Sequence, residues 1–91
     1  LPASVEPVGL FVNHSVSEIH RLAGSCRLRT LQLHGDEPPE TIAELSRYRV
    51  IRAFRVGREG LSAVAEYLER CAELGTLPWA CLIDARVEGV Y

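Results

Sequence analysis

The feature that most constrains this chain is an alternation between short apolar runs and segments with helical spacing. The apolar runs occupy residues 8–12, 28–34, 50–56 and 79–84. Runs this short and this apolar are typical of strands that other elements cover. Strands that alternate with helices form parallel sheets through right-handed crossovers. The sequence therefore predicts an α/β protein in the order β-α-β-α-β-α-β. The pattern alone leaves open whether the sheet is open or closed, and four strands are too few for a barrel of eight.

The helices between these strands have recognisable start and stop signals. Ser15 and Glu18 have the spacing of a capping box, in which each side chain hydrogen-bonds to the backbone N–H of the other residue. Gly24 is predicted to end the first helix, and Gly75 the third. The acids and prolines of residues 37–40 are predicted to open the second helix, because both are favoured in a first turn.

Composition excludes two classes of partner. The chain has 91 residues, of which 47% are hydrophobic and 24% charged, as is usual for a soluble globular protein. Its formal net charge is -2 and it has no basic run, so no nucleic-acid surface is predicted. No apolar run approaches the roughly 20 residues that cross a bilayer, so no membrane span is predicted. The absence of methionine predicts that the chain begins inside a longer protein or was processed.

Three cysteines, Cys26, Cys71 and Cys81, indicate the compartment. Their number is odd and no two are close in sequence, which argues against a disulfide framework and for the reducing cytoplasm. We expect all three to be small buried hydrophobic residues. The spacing of His14, His20 and Cys26 is not that of a zinc site, and no second cysteine cluster completes one. No metal or cofactor is predicted.

The second predicted strand ends in residues 31–36, which read Leu-Gln-Leu-His-Gly-Asp. Side chains alternate across a strand, so the two leucines face one side and Gln32 and His34 face the other. The leucine side suits packing against helices. The amide and the imidazole then point together at the carboxyl end of a parallel strand, where α/β proteins bind their ligands.

Two other strands also end in polar residues. Asn13 and His14 follow the first strand, and Asp84 and Arg86 close the last one. A carboxylate at the end of an otherwise apolar strand tends to be partly desolvated, which suits proton donation. Asp84 could equally cap a helix or pair with Arg86, and the pattern leaves both interpretations open. A lone His34 would more often be structural, but polar residues on several strand ends favour a site.

In four segments the chain resembles the phosphoribosylanthranilate isomerase family of tryptophan biosynthesis. These segments are residues 8–13, 31–36, 50–56 and 82–86. The second and the fourth are specific, whereas the first and the third fit the strands of many proteins. The resemblance implies an α/β, parallel (β/α)8 TIM barrel, of which this chain supplies about half, the third to sixth strands. Residues 1–91 are then a single partial domain, the central part of that barrel.

The resemblance also implies an activity and its site. The family performs an Amadori rearrangement of phosphoribosylanthranilate to 1-(o-carboxyphenylamino)-1-deoxyribulose 5-phosphate, an aldose–ketose isomerisation without a cofactor. By resemblance Asp84 is the general acid that protonates the furanose ring oxygen, and Gln32 and His34 line the substrate pocket. Arg52 stands where the family usually has lysine, and we expect no more of it than a polar interior position.

Other parts of that family's site have no counterpart in these residues. The family's general base is a cysteine on the first strand of the barrel, and its substrate-binding arginine follows the second. Cys81 does not replace the base, because it lies three residues before Asp84 and so faces the opposite side of the strand. The phosphate-binding loops after strands seven and eight are also absent. We expect the isolated chain to be inactive and to self-associate through open barrel edges.

Two alternatives remain open on the sequence. The chain could come from another (β/α)8 enzyme that acts on a phosphorylated sugar, or it could be a standalone α/β binding module without catalysis. Fold alone does not decide among them, so the specific residues must. Gln32, His34 and Asp84 favour the isomerase, whose partner is a small phosphorylated substrate.

Overall fold

Strands and helices alternate along the chain in the predicted order. The computed structural model describes residues 2–58 and 60–85. All neighbouring strands pair in parallel, in the order β1-β2-β3-β4. The predicted α/β class and element order are confirmed. The strands are Val8–Phe11 (β1), Thr30–Leu33 (β2), Arg49–Val56 (β3) and Ala80–Ala85 (β4), and the helices are Val16–Cys26 (α1), Pro39–Glu44 (α2) and Ser62–Glu73 (α3).

The helices cover one face of the sheet. The strand register places Phe11, Leu33 and Arg52 side by side across β1, β2 and β3, so these three residues share a face. Leu31 and Leu33 are completely buried on this face, as their alternation predicts. The core therefore lies between the sheet and the helices. Its buried members are Phe11, Ile19, Ala23, Leu31, Leu33, Ile42, Leu45, Val50 and Cys71.

The other face of the sheet is largely uncovered. Leu10 of β1 is paired with Gln32, and Leu82 of β4 lies opposite Ala53, all on the side away from the helices. Leu10 is 59% exposed and Leu82 is 48% exposed. A sheet with sequential strand order, helices on one side and exposed apolar residues on the other has the arrangement of a barrel wall, not of a doubly wound sheet.

Helix α1 begins as predicted and ends later than predicted. The Ser15 hydroxyl accepts from the Glu18 N–H and the Glu18 carboxylate accepts from the Ser15 N–H, each at 3.2 Å, which completes the capping box. The predicted stop at Gly24 is wrong. The helix closes instead at Arg27, which adopts the left-handed φ of 54°. The Arg27 N–H donates to the Gly24 carbonyl, and the Leu28 N–H donates to the Ala23 carbonyl. These two hydrogen bonds satisfy carbonyls of the last turn.

Only one of the three cysteines lies in the core. Cys71 is fully buried, whereas Cys26 and Cys81 are exposed, so the expectation of three buried cysteines is wrong for two of them. Cys26 ends α1 at the surface, and Cys81 lies on the edge strand β4. Desolvation raises the pKa of the buried Cys71 thiol and, because its sulfur is partly shielded, that of the Cys81 thiol, so both stay protonated at neutral pH.

Candidate active site

A cavity of about 400 Å³ opens at the carboxyl ends of β1, β2 and β3. This is the end at which parallel α/β folds bind their ligands. A carboxylate, an imidazole, an amide and two guanidinium groups stand among the lining side chains, so the cavity is suited to a polar ligand. The lining residues are Val12, Asn13, His34, Gly35, Asp36, Arg52, Ala53, Phe54 and Arg55.

His34 contributes its imidazole to the wall of this cavity. Its backbone N–H donates to the Phe11 carbonyl at 3.0 Å, which carries the pairing of β2 with β1 one residue beyond the strand. Within the described part of the chain, Nε2 of His34 is buried without a hydrogen-bond partner. A buried polar atom left unpaired costs free energy. His34 therefore brings to the cavity a polar group that no described protein group satisfies.

Gln32 lies two residues below His34 on the same face of β2. It is half-buried and stands in register between Leu10 and Ile51. The predicted facing of this strand is observed, since Gln32 points away from the helices that bury its leucine neighbours. Gln32 does not line the cavity. It lies beneath the cavity on the open face of the sheet.

Asp84 stands beside the cavity on the edge strand β4. It is half-buried and lies opposite Arg55 of β3 in the parallel register. Alternation along β3 puts Arg55 on the same face as Ile51, which pairs with Gln32, so Asp84 and Gln32 share the open face. Asp84 does not line the cavity, but its strand neighbour Arg55 does. Arg86, its alternative partner in the sequence, lies outside the described residues.

The two polar residues after β1 take different directions. Asn13, which has a positive φ of 56°, lines the cavity. His14 does not. Its ring packs edge-on against Phe11 with the centroids 5.4 Å apart, and its Nδ1 accepts from the Val12 N–H at 3.2 Å. Of this predicted pair, only Asn13 therefore belongs to the cavity.

A buried carboxylate joins the loops after β1 and β2. Glu37 is only 4% exposed. Its carboxylate accepts from the Asn13 N–H and from the Gly35 N–H, both at 2.8 Å. The Asp36 N–H donates to the Asn13 side-chain oxygen at 2.7 Å. We call these four residues, Asn13, Gly35, Asp36 and Glu37, the loop clasp.

Arg52 and Tyr67 connect the loop clasp to β3 and α3. The Tyr67 hydroxyl donates to the Glu37 carbonyl at 2.7 Å and accepts from Arg52 Nε at 3.2 Å. Another guanidinium nitrogen of Arg52 donates to the Ala53 carbonyl. The guanidinium also lies over the rings of Phe54 and Tyr67, with 4.7 and 5.0 Å to their centroids. Arg52 is thus buried as expected, but it points to the helices and not to the open face.

Sequence reasoning missed the roles of Glu37 and Tyr67. Glu37 reads as a helix opener, yet its carboxylate bonds backward to the two loops, and helix α2 has no side-chain cap. Tyr67 is separated from Glu37 by 30 residues, so no local pattern links them. The one signal in the sequence is an acid four residues after the end of a strand whose loop already carries polar residues.

Neither a metal cluster nor a membrane-spanning helix occurs in the described ranges. Within residues 2–58 and 60–85, no three His, Cys, Asp or Glu side chains come together in a way that could hold a metal ion. None of the helices in these ranges is long and apolar enough to cross a membrane.

Sequential parallel strands with helices on one face, and a polar cavity at their carboxyl ends, define a protein of the (β/α)-barrel class. The family model of N-(5'phosphoribosyl)anthranilate (PRA) isomerase matches residues 2–79 of the chain. The chain therefore belongs to the PRA isomerase family, as its motifs predicted.

Curated relatives carry the same name. The N-(5'-phosphoribosyl)anthranilate isomerase of Syntrophomonas wolfei is 41% identical over 91 residues, which is 100% of this chain and 40% of the relative. The protein of that name in Geobacter metallireducens is 54% identical over 56 residues, which is 62% of this chain and 27% of the relative. The chain thus spans less than half the length of the relatives it matches.

Solved structures of the family have the same fold. Phosphoribosyl anthranilate isomerase from Thermotoga maritima superposes with a TM-score of 0.77 at 29% identity, covering 99% of this chain and 40% of that one. A structure of the isomerase in complex with reduced 1-(o-carboxyphenylamino)-1-deoxyribulose 5-phosphate superposes with a TM-score of 0.75 at 31% identity. It covers 94% of this chain and 41% of that one. The four strands described here therefore form about half of a (β/α)8 barrel, as predicted.

Proposed function

We propose that the protein to which this chain belongs is a PRA isomerase. It converts N-(5'-phosphoribosyl)anthranilate to 1-(o-carboxyphenylamino)-1-deoxyribulose 5-phosphate. The observation that carries the proposal is the family match over residues 2–79, a range that includes the strand bearing Gln32 and His34. The cavity at the carboxyl end of that strand supports it, because its polar lining suits a sugar phosphate.

Asp84 acts in this proposal as the general acid. It gives a proton to the furanose ring oxygen as the bond between that oxygen and the anomeric carbon breaks, which opens the ring to a Schiff base. A base then removes the proton from C2′, and the enol that forms becomes the ketone. The rearrangement is an internal oxidation and reduction, so its atoms and electrons balance without an external oxidant or a cofactor. Positioned acids contribute about 10² to 10⁴ in rate.

His34 lines the substrate cavity in this proposal, and Gln32 belongs to the substrate site below it. Both lie on the open face of β2, and the buried Nε2 of His34 has an unused hydrogen-bonding position. This combination supports contact with substrate oxygens by His34 at the cavity and by Gln32 beneath it. Anion binding by the phosphate loops belongs to other strands of the barrel, which also supply the general base.

Residues 1–91 are, in this proposal, the central part of one barrel domain. Leu10 and Leu82 then belong to the barrel interior, which other strands complete. The uncovered face and the two edge strands support self-association of the isolated chain. Three free cysteines, without a pair among them, support a reducing compartment such as the cytoplasm.

Asp84→Asn tests the proposed function in the complete protein. The amide keeps the shape of the carboxyl group but has no acidic proton to give. Turnover of phosphoribosylanthranilate, followed by loss of its fluorescence, is expected to fall at least about 10²-fold. KM and the melting temperature are expected to change little. Glu69→Gln, on the exposed side of α3, is the matched control and is expected to keep full turnover.

Three other results would count against these assignments. A wild-type protein without turnover of phosphoribosylanthranilate would remove the proposed function. Near-normal turnover in Asp84→Asn would remove the catalytic assignment and keep the family. A collapsed melting transition in Asp84→Asn, with Glu69→Gln intact, would instead identify a structural carboxylate.

A further inference from the structure

The Glu37 carboxylate is bonded to loops and not to the helix that follows it. One oxygen accepts from the Asn13 N–H and the other from the Gly35 N–H, both at 2.8 Å. The first loop follows β1 and the second follows β2. Hydrogen bonds to a carboxylate are roughly twice as strong as those between neutral groups. A single buried side chain therefore sets the distance between the two loops.

The contact between these loops is close as well as polar. The Asp36 N–H donates back to Asn13 Oδ1 at 2.7 Å. A Cβ atom at position 35 would lie 2.4 Å from that same oxygen and 2.8 Å from the Asn13 backbone nitrogen. Only glycine fits there without displacing the loop after β1. A side chain at position 35 would therefore disturb both the hydrogen bond to Asn13 Oδ1 and the backbone of that loop.

A second set of bonds fixes the backbone of Glu37. The Tyr67 hydroxyl donates to the Glu37 carbonyl at 2.7 Å, and Arg52 Nε donates to that hydroxyl at 3.2 Å. Arg52 is 6% exposed, and its guanidinium lies over the Tyr67 ring. The loop clasp is therefore anchored to β3 and α3.

The residues held in this way line the cavity. Three residues of the loop clasp line it directly, namely Asn13, Gly35 and Asp36. His34, which immediately precedes Gly35 in the sequence, lines it as well. Glu37 itself is not among the lining residues. Its carboxylate is bonded to the backbone N–H groups of Asn13 and Gly35, and Gly35 directly follows His34 in the chain.

We propose that Glu37 is a positioning residue of this site. Its carboxylate locks the loops after β1 and β2 and so holds His34 and Asn13 in their places around the substrate. The proposal rests on the PRA isomerase function proposed above. Because the residues that it holds line the cavity, Glu37 is expected to affect substrate binding more than proton transfer.

Glu37→Gln in the complete protein is the test. The amide oxygen accepts only one of the two N–H groups, and its NH2 group then faces the other donor. KM for phosphoribosylanthranilate is expected to rise about tenfold to a hundredfold, and kcat to fall by less. Glu37→Asp keeps the charge on a shorter side chain and is expected to recover part of the loss. Glu44→Gln, exposed at the end of α2, is the matched control.

The split between KM and kcat separates positioning from stability. A lower melting temperature with unchanged KM and kcat in folded Glu37→Gln would overturn the proposal, because a structural role alone gives that result. If Glu37→Gln does not fold, Glu37→Asp decides. A raised KM in that variant supports the proposal, and a wild-type KM overturns it.

A readout without turnover keeps this test independent of the proposed function. Amide hydrogen exchange at Asn13 and Gly35, and the ring resonances of His34, report on the loop clasp directly. In Glu37→Gln both amides are expected to lose protection and the His34 resonances to shift. If the wild-type protein proves inactive on phosphoribosylanthranilate, these signals still decide. Unchanged protection and unchanged resonances would overturn the positioning role.

Discussion

At the scale of single residues, the alternation of side chains along β2 separates residues that pack in the core from residues on the open face of the sheet. Leu31 and Leu33 are completely buried against the helices, while Gln32 and His34 lie on the open face. Each leucine packs into the core, and each polar residue is available to a ligand. A substitution in this strand is therefore expected to affect either stability or binding, according to whether its position is odd or even.

His34→Ala and Leu33→Ala test this division in the complete protein. Leu33→Ala leaves a cavity in the core and is expected to cost roughly 2–5 kcal/mol in the free energy of unfolding. His34→Ala removes an unpaired buried nitrogen, so it is expected to preserve stability and weaken turnover. Thermal melts and turnover of phosphoribosylanthranilate give the two measurements. The facing assignment is inverted if Leu33→Ala is harmless and His34→Ala unfolds the protein.

At the scale of elements, the sequence predicts helix starts and ends where the signal is local, but it does not predict contacts between distant residues. The capping box of Ser15 and Glu18 is complete within four residues and was predicted correctly. Gly75, with a φ of 70°, lies just past the end of α3 as predicted. The predicted end of α1 at Gly24 is wrong because a helix tolerates glycine. The left-handed cap lies at Arg27, and arginine is not a residue type that predicts a helix end.

The residues of the candidate site also divide into those that the sequence predicts and those that it does not. The residues at strand ends, Gln32, His34 and Asp84, could be selected from alternation and resemblance. The buried bonds of Glu37 could not, because its partners Asn13 and Tyr67 are 24 and 30 residues away in the sequence. The path of the chain through two crossovers brings these groups together. The hydrophobic periodicity of the sequence does not predict contacts between residues so far apart.

Tyr67 gives an element-scale prediction for alkaline pH. Burial raises the pKa of its hydroxyl, although the neighbouring Arg52 acts in the opposite direction. The stabilisation from the neutral hydroxyl is therefore complete below the pKa of about 10 of the unfolded chain. It is lost as the pH rises through the higher pKa of the folded protein. The raised pKa values of Cys71 and Cys81 have the same sign and act from about pH 8.5.

Melting temperatures measured between pH 7 and pH 11 check this prediction, with Tyr67→Phe as the comparison. At neutral pH the variant is expected to be less stable by about 1–3 kcal/mol, because Arg52 Nε and the Glu37 carbonyl lose their partner. Above about pH 10 it is expected to lose stability less steeply than the wild type. An identical slope in the two proteins would show that Tyr67 does not contribute to the alkaline transition.

At the scale of the whole molecule, the core lies between the helices and strands β1 to β3, while the opposite face of the sheet is largely uncovered. Val8, Leu10, Val12 and Leu82 are between 45% and 59% exposed. Barrel interiors are filled by layers of such side chains from all eight strands. The sheet also ends in two edges, β1 and β4, whose outer backbone groups have no strand partner within the described sheet. Both features leave surfaces that the remaining strands of a barrel, or a second copy of the chain, would cover.

The isolated chain is therefore expected to dimerise, aggregate or remain loosely packed. Unpaired edges and an exposed apolar face promote association, and a second copy can cover both. Sedimentation and a thermal melt of the 91-residue chain give the measurement. A monodisperse monomer with a sharp cooperative melt would contradict the placement of this chain in a larger barrel.

Leu10→Ala distinguishes association through the open face from association elsewhere. In the isolated chain Leu10 is 59% exposed, so truncation is expected to weaken self-association and to cost little stability. In the complete protein the same side chain belongs to the packed interior of the barrel, and its loss is expected to cost roughly 2–5 kcal/mol. Leu61→Ala is the matched control, because Leu61 is 58% exposed and lies before α3, away from that face. It is expected to leave both association and stability nearly unchanged. If Leu10→Ala behaves like Leu61→Ala in the complete protein, the open face of the sheet is not the interior of a barrel.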